Sequence, residues 1–260
     1  MQAMDEVVIS KAITESYIKD LLGAMEVDVA IVGAGPAGMT AAYYLGREKV
    51  NTAIFEKRLS PGGGIWGGGM MFSKIVVQRE GRKILDEFGV ATTEYQEGYY
   101  VADALEAASA LCLEALKAGA KIFNLVSVED VVIREDNRVS GLVLNWSAAS
   151  AAKLRIDPLA IKAKVVIDAT GHDCEVCRLV TQKIGAKLRT ATGNIAGEKS
   201  MWAEIGEKKV VENTGEVYPG LVVAGMAVSA VFGSPRMGPV FGGMLLSGKK
   251  AARLAVKLLK

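Results

Sequence analysis

Apolar positions along the chain change period several times, and each change marks an element. Val7, Val8, Ile13, Tyr17, Ile18, Leu21 and Leu22 recur at three- to four-residue spacing with charges between them. That pattern predicts an amphipathic helix ending at Gly23. Val27–Val32 is a short apolar run bearing Asp28, followed at once by Gly33-Ala34-Gly35-Pro36-Ala37-Gly38 and then by the helix formers Met39–Arg47. A second apolar run, Thr52–Phe55, closes on Glu56. Strand, tight turn, helix and strand make a βαβ unit. Beyond it, Lys83–Phe88 and Ala102–Lys117 read as helices, the latter ended by Gly119, and Lys121–Val126 as a strand. Val128–Arg134 and Arg138–Trp146 flank Glu135-Asp136-Asn137 as a hairpin. Ala148–Ala152 is small and weakly patterned, which predicts a mobile loop. Val165–Thr170 and Leu221–Ala224 read as buried strands, Glu175–Ile184 and Met244–Leu259 as helices.

Composition narrows the class. Half of the residues are hydrophobic and 23% charged, and Lys+Arg 31 against Asp+Glu 29 leaves +2. A disordered chain is excluded, and no global charge argues for nucleic acid. The longest mostly apolar stretch, Leu221–Phe232, contains Gly225 and Ser229 and is far short of the roughly 20 residues of a membrane-spanning helix. The N-terminus, Met1-Gln2-Ala3-Met4-Asp5-Glu6, carries acid where a signal peptide carries base, so a cytoplasmic location is expected. Cys112, Cys174 and Cys177 are too few for a disulfide framework, which fits a reducing compartment. No repeat or low-complexity linker divides the chain. Residues 1–260 are read as a single domain, with the N-terminal helix and an inserted β-hairpin region at about 128–162.

Twenty-nine glycines against six prolines are unusual, and they cluster at Gly33–Gly38, Gly62–Gly69 and Gly233–Gly248. A turn with Gly33, Gly35 and Gly38 between a strand and a helix lets a pyrophosphate approach the backbone at a helix N-terminus. Glu56, at roughly the 20-residue distance expected, would accept hydrogen bonds from the adenosine ribose. The competing reading is a merely tight turn. Pro61-Gly62-Gly63-Gly64-Ile65-Trp66-Gly67-Gly68-Gly69 follows the acid directly and serves either close approach to a ligand or a flexible lid. The fold class expected is α/β, a Rossmann-like dinucleotide-binding fold of the FAD/NAD-linked reductase type with a small β-rich insertion. On the glycine pattern alone, FAD and NAD both remain open.

Three further features carry chemistry. His172 is the only histidine and follows the strand-ending Asp168-Ala169-Thr170-Gly171, with Asp173 beside it and Asp157 earlier in the chain. A lone histidine is often structural, but this position faces the expected cofactor and favours a ligand or base. Cys174 and Cys177 form a CxxC; a structural zinc site needs four ligands, and the chain has too few to offer, so small core or surface residues are the expected reading. Arg236, in Gly233-Ser234-Pro235-Arg236-Met237-Gly238-Pro239, delivers a guanidinium into a glycine loop where it could clamp a carboxylate or phosphate.

Together these residues resemble the thiamine thiazole synthase family, whose archaeal members were often labelled ribulose-bisphosphate synthetases. The resemblance runs over nearly all the chain, through Asp28–Gly38, Phe55-Glu56-Lys57, Pro61–Trp66, Asn145-Trp146, Ile156-Asp157-Pro158, Ala169–Asp173 and Arg236–Pro239. It implies a transferase that consumes NAD as substrate: nicotinamide leaves, the ADP-ribose is isomerised and condensed with glycine, and sulfide is taken up to give an ADP-linked thiazole carboxylate. By the same resemblance Ala37, Glu56, Lys57, Gly64, Val128 and Met226 line the NAD site, and Arg236 holds the glycine carboxylate. Asp157 and His172 bind Fe(II), with Asp157 reaching across a subunit interface of a homo-octamer. Two residues before Asp157, members that sacrifice their own sulfur carry cysteine and sulfide-using members usually histidine. This chain has Arg155, which cannot donate sulfur and, staying protonated, cannot readily act as a base; as a catalytic candidate it could still bind the NAD pyrophosphate or attract HS⁻. A FAD-dependent oxidoreductase of the same fold is the alternative expectation, and a non-catalytic NAD- or iron-binding octamer the third.

Overall fold

The second half of strand β1 (Glu26–Val32) is buried on both faces, with Val29 and Ile31 entering one core and Ala30 and Val32 the other. Double burial is why Val29–Val32 is a continuous apolar run, as strands of parallel sheets are, whereas Glu26 and Asp28 fall in the less buried first half. The structure, a computed structural model, describes residues 4–134 and 136–260. Met1, Gln2, Ala3 and the hairpin residue Glu135 lie outside the described residues. Helix α1 (Glu6–Gly23) precedes β1; α2 (Pro36–Arg47) and β2 (Thr52–Glu56) follow it. Then come β3 (Lys74–Val77), α3 (Arg79–Glu87), β4 (Thr92–Gln96), β5 (Tyr99–Asp103), α4 (Ala104–Lys117), β6 (Lys121–Asn124), β7 (Val126–Ile133) and β8 (Val139–Trp146). The chain continues through α5 (Ser147–Ala151), β9 (Leu159–Asp168), α6 (Glu175–Ile184), α7 (Ala203–Asn213), β10 (Gly215–Tyr218), β11 (Leu221–Val223), α8 (Met226–Phe232) and α9 (Gly242–Leu258).

The main sheet runs β10-β11-β9-β1-β2-β6, parallel from β11 to β6, with β10 antiparallel at its edge. This is the α/β Rossmann-like arrangement expected. The hairpin β7–β8 joins it antiparallel to the first half of β9, Leu144 opposite Leu159, so the region 128–162 is hydrogen-bonded into the same sheet. On one face α2, α4 and α9 cover Val29, Ile31, Ile54, Val165 and Ile167; on the other, α6 and α8 cover Val32, Phe55, Val166 and Val223. No helix among the described residues is long and apolar enough to cross a membrane.

Several elements differ from expectation. Ala148–Ala152 is not a loop: Ser147–Ala151 is a short helix, because alanine forms helix readily even without a patterned face. Lys121–Val126 is broken at Leu125, whose φ of 58° turns the chain from β6 into β7. The helix expected from Ala102 begins at Ala104, capped by Asp103, whose carboxylate accepts from the Leu105 and Glu106 amides. The apolar stretch Leu221–Phe232 divides at Gly225 into a strand and a helix. A three-stranded antiparallel sheet, β3-β5-β4, and helix α7 were not expected at all. Helix α1 has the expected bounds, yet no residue in it is buried: Val7, Val8, Ile13, Ile18 and Leu22 stand exposed, and Tyr17 alone reaches the rings of Phe123 and Trp146.

The small sheet and α7 together pin the loop before α9. Phe241 donates its amide to the Val76 carbonyl at 2.9 Å, and Gly243, in the first turn of α9, donates to the Glu207 carboxylate of α7 at 2.7 Å. Glu207 is 6% exposed, and burial pushes its carboxyl up to about 7, the Gly243 bond only partly offsetting it. A carboxyl whose folded pKa lies above its unfolded value contributes stability that is fully present below the ordinary carboxyl range and lost as pH rises through about 7. Unfolding free energy is therefore expected to fall between about pH 4.5 and 7 by roughly 3 kcal/mol from this group. Denaturant unfolding across that range checks it: Glu207→Gln should flatten the decline, and equal slopes in both proteins would contradict the assignment.

Candidate active site

A cavity of about 660 Å³ opens at the carboxyl ends of β1, β2 and β9, where open α/β sheets bind ligands. The glycine turn forms its floor. Gly33 has φ +97°, and a Cβ there would meet the Ala169 backbone; a Cβ on Gly38 would strike the Gly33 carbonyl. Only glycine lets the turn fold this tightly against β9. Helix α2 then starts with Pro36 in its first turn and no side chain capping it, so its first amide groups are left for a ligand. Gly62 donates its amide to Ala34 at 2.7 Å, and Trp66 donates to the Pro61 carbonyl at 2.5 Å. Within the second glycine cluster, Gly63–Gly67 forms a short 3-10 helix laid beside the first turn.

Glu56 ends β2 and is buried, its two oxygens held at 2.8 Å by the Ala34 and Arg58 amides. The acid is thereby fixed at the tip of the strand, on the cavity wall. The Lys57 ammonium beside it pairs with Glu175 at 2.5 Å and Asp173 at 3.2 Å. Burial opposes its charge, but the two carboxylates outweigh that and hold its pKa above the ordinary lysine value.

The turn bearing His172 is built on Asp168, the fully buried last residue of β9. One of its oxygens accepts from the Thr170 amide at 3.1 Å and hydroxyl at 2.7 Å, the other from the Cys177 amide at 2.9 Å. Thr170 in turn accepts from the Glu175 amide at 2.7 Å. These bonds brace the short turn Gly171–Asp173 against the start of α6, leaving the His172 ring half-exposed on the cavity wall. Its Nδ1 lies 2.7 Å from Oε1 of Glu198, whose other oxygen is 3.9 Å from Nε of Arg236.

Gly33, Gly35, Ala37, Glu56 and Lys57 of the expected site line this one cavity. Gly64, Val128, His172, Met226 and Arg236 complete its wall. Gly38 lies behind the turn. Arg155 and Asp157 are not in the cavity: they sit exposed on the irregular stretch before β9, flanked by Leu154 and Ile156, which are themselves exposed. Among the described residues no group of three or more His, Cys, Asp or Glu gathers to hold a metal. Among the described residues Nε2 of His172 has no hydrogen-bond partner, so a metal at this ring would need further ligands from elsewhere. Cys174 and Cys177 are buried; desolvation and the nearby Asp168 charge push the Cys174 thiol up to about 12 and that of Cys177 well above its ordinary value. A raised pKa lowers the thiolate fraction on which nucleophilic attack depends.

Comparison with known proteins places this geometry. The Thi4 family profile matches residues 10–241. The thiamine thiazole synthase of Methanothermobacter thermautotrophicus is 59% identical over 257 residues, 99% of each chain, and that of Pyrococcus horikoshii 57% identical over 98% of each. The crystal structure of THI4 from Thermovibrio ammonificans superposes with a TM-score of 0.97 at 53% identity, covering 99% of this chain and 100% of that one. A geranylgeranyl bacteriochlorophyll reductase-like protein of Thermoplasma acidophilum shares the fold alone, with a TM-score of 0.56 at 16% identity over 89% of this chain and 78% of that one. With a family match over most of its length and relatives alike from end to end, the chain belongs to the Thi4 family, enzymes of thiamine thiazole biosynthesis.

Proposed function

We propose that this protein makes an ADP-linked thiazole carboxylate from NAD, glycine and sulfide, with Fe(II) bound at His172. The observation that carries the reading is the joining of a dinucleotide cradle, an imidazole and a guanidinium in one cavity. The Gly33–Gly38 turn and the open N-terminus of α2 suit the NAD pyrophosphate, and Glu56 the adenosine ribose. Lys57, Gly64, Val128 and Met226 line the remainder. Arg236 is 61% exposed and free to meet the glycine carboxylate with its terminal nitrogens.

The iron ligands are completed in this reading by the partner subunit's Asp157 within a homo-octamer. Exposure of Asp157, between the exposed apolar side chains of Leu154 and Ile156, supports that assignment, because such a stretch gains by being covered. Fe(II), when bound, supplies Lewis acidity with coordination positions left open. In this reading the chain's own residues orient the NAD ribose through Glu56 and hold the glycine carboxylate through Arg236. Release of nicotinamide from NAD and formation of a thiazole on supplying glycine, sulfide and Fe(II) test the proposal; a tightly held flavin in the purified protein would favour the oxidoreductase instead.

Arg236→Ala is expected to raise the glycine KM far more than the NAD KM. The lost contact is a charge-assisted pair worth roughly 1.5 to 3 kcal/mol, or about 10- to 150-fold. Steady-state kinetics with each substrate varied in turn decide it. Equal weakening toward both would place this arginine on a phosphate.

A further inference from the structure

Glu198 stands between the two groups on which the proposed site depends, and nothing in the sequence singled it out. We propose that Glu198 is a positioning residue that presents Nε2 of His172 to the metal and the terminal nitrogens of Arg236 to the substrate carboxylate. The inference rests on the function proposed above. The Glu198 side chain is 17% exposed, against 52% for His172 and 61% for Arg236. Two solvent-facing side chains are thus tied to one more deeply set carboxylate. Its Oε1 lies 2.7 Å from Nδ1 of His172, and its Oε2 3.9 Å from Nε of Arg236.

The backbone around Glu198 is itself clamped. Ala196 and Gly197 donate their amides to Val231 and Ala230 at the end of α8, at 3.2 and 2.9 Å. Lys199 donates to Ser234 at 3.1 Å and accepts from Arg236 at 3.3 Å. The strap bearing Glu198 is therefore bonded to the loop bearing Arg236. An ionised carboxylate can only accept, so a neutral His172 must carry its proton on Nδ1, leaving the Nε2 lone pair for a metal. A carboxylate on the far ring nitrogen also raises the basicity of the nitrogen that binds. With Nε of Arg236 turned toward Glu198, the paired terminal nitrogens remain for a two-point contact with carboxylate.

Because His172 is the single histidine, its ring can be read directly by 15N NMR of histidine-labelled, metal-free protein. At a pH where the ring is neutral, the expected spectrum has protonated Nδ1 and free Nε2, the reverse of the tautomer that free histidine prefers in water. Glu198→Ala should release that tautomer and weaken Fe(II) binding by roughly 10- to 100-fold in anaerobic equilibrium dialysis. Glu198→Gln, whose amide oxygen still accepts from Nδ1, should keep the tautomer and recover part of the affinity; NAD affinity and thermal stability should be unchanged in both. A protonated Nε2 in the unsubstituted protein overturns the inference even if Glu198→Ala fails to fold. So does unaltered Fe(II) affinity in Glu198→Ala while His172→Ala loses the metal. Iron retained by His172→Ala overturns the metal assignment itself, and this inference with it.

Discussion

Replacing His172 with alanine is expected to abolish thiazole formation while NAD binding and folding persist. The ring is half-exposed, and the turn that carries it is held by Asp168, Thr170 and the Cys177 and Glu175 amides, none of which involves the imidazole. Removing it leaves that scaffold whole. What goes is the chain's only imidazole, which the proposed function assigns to iron on the cavity wall, and on that proposal several kcal/mol of Lewis-acid stabilisation go with it, roughly a thousandfold or more in rate. Activity, iron content and NAD affinity of the purified variant check this together. Full activity without the ring would return His172 to the role of a structural hydrogen-bonding residue on Glu198.

Turnover should also require external sulfide and leave the chain's mass unchanged. The position that the family resemblance assigns to a donor cysteine holds Arg155 here, and an arginine has no sulfur to give. The other thiols near the site are poor donors on physical grounds. Cys174 and Cys177 are buried beside the Asp168 carboxylate, which together with desolvation keeps them protonated at neutral pH. Product formed without added sulfide, accompanied by loss of hydrogen sulfide from Cys174 or Cys177 in the intact-mass spectrum, would contradict this. If no product forms even with sulfide, Arg155→His separates the cases: recovery means that arginine blocks the sulfur step, and continued silence favours a non-catalytic NAD- and iron-binding protein.

The cradle was legible in the sequence because its determinants are local. A strand, Gly33, Gly35, Gly38 and Glu56 occupy one βαβ unit, and each residue type is required by backbone geometry or by hydrogen bonding within it. His172 and Arg236 could be located because they follow strand ends or glycine loops that converge on the same sheet edge. Glu198 could not: it lies 26 residues from His172 on an irregular strap, and only tertiary folding brings the two together. The sheet β3-β5-β4 was missed because its solvent-facing strand β4 is almost entirely polar and shows no alternation. Ala148–Ala152 misled for the opposite reason, since a run of small residues carries helix propensity without any face to pattern. Arg155 and Asp157 are exposed and outside this chain's own cavity, and the resemblance likewise has Asp157 reaching across to a neighbouring subunit.

Anaerobic incubation of the purified protein with NAD, glycine, sulfide and Fe(II), followed by mass analysis of the small molecules, tests the central claim most directly. The proposal predicts free nicotinamide and an ADP-linked thiazole carboxylate, with the thiazole absent when glycine, sulfide or Fe(II) is left out. Intact NAD, with no nicotinamide released in the complete mixture, would contradict it.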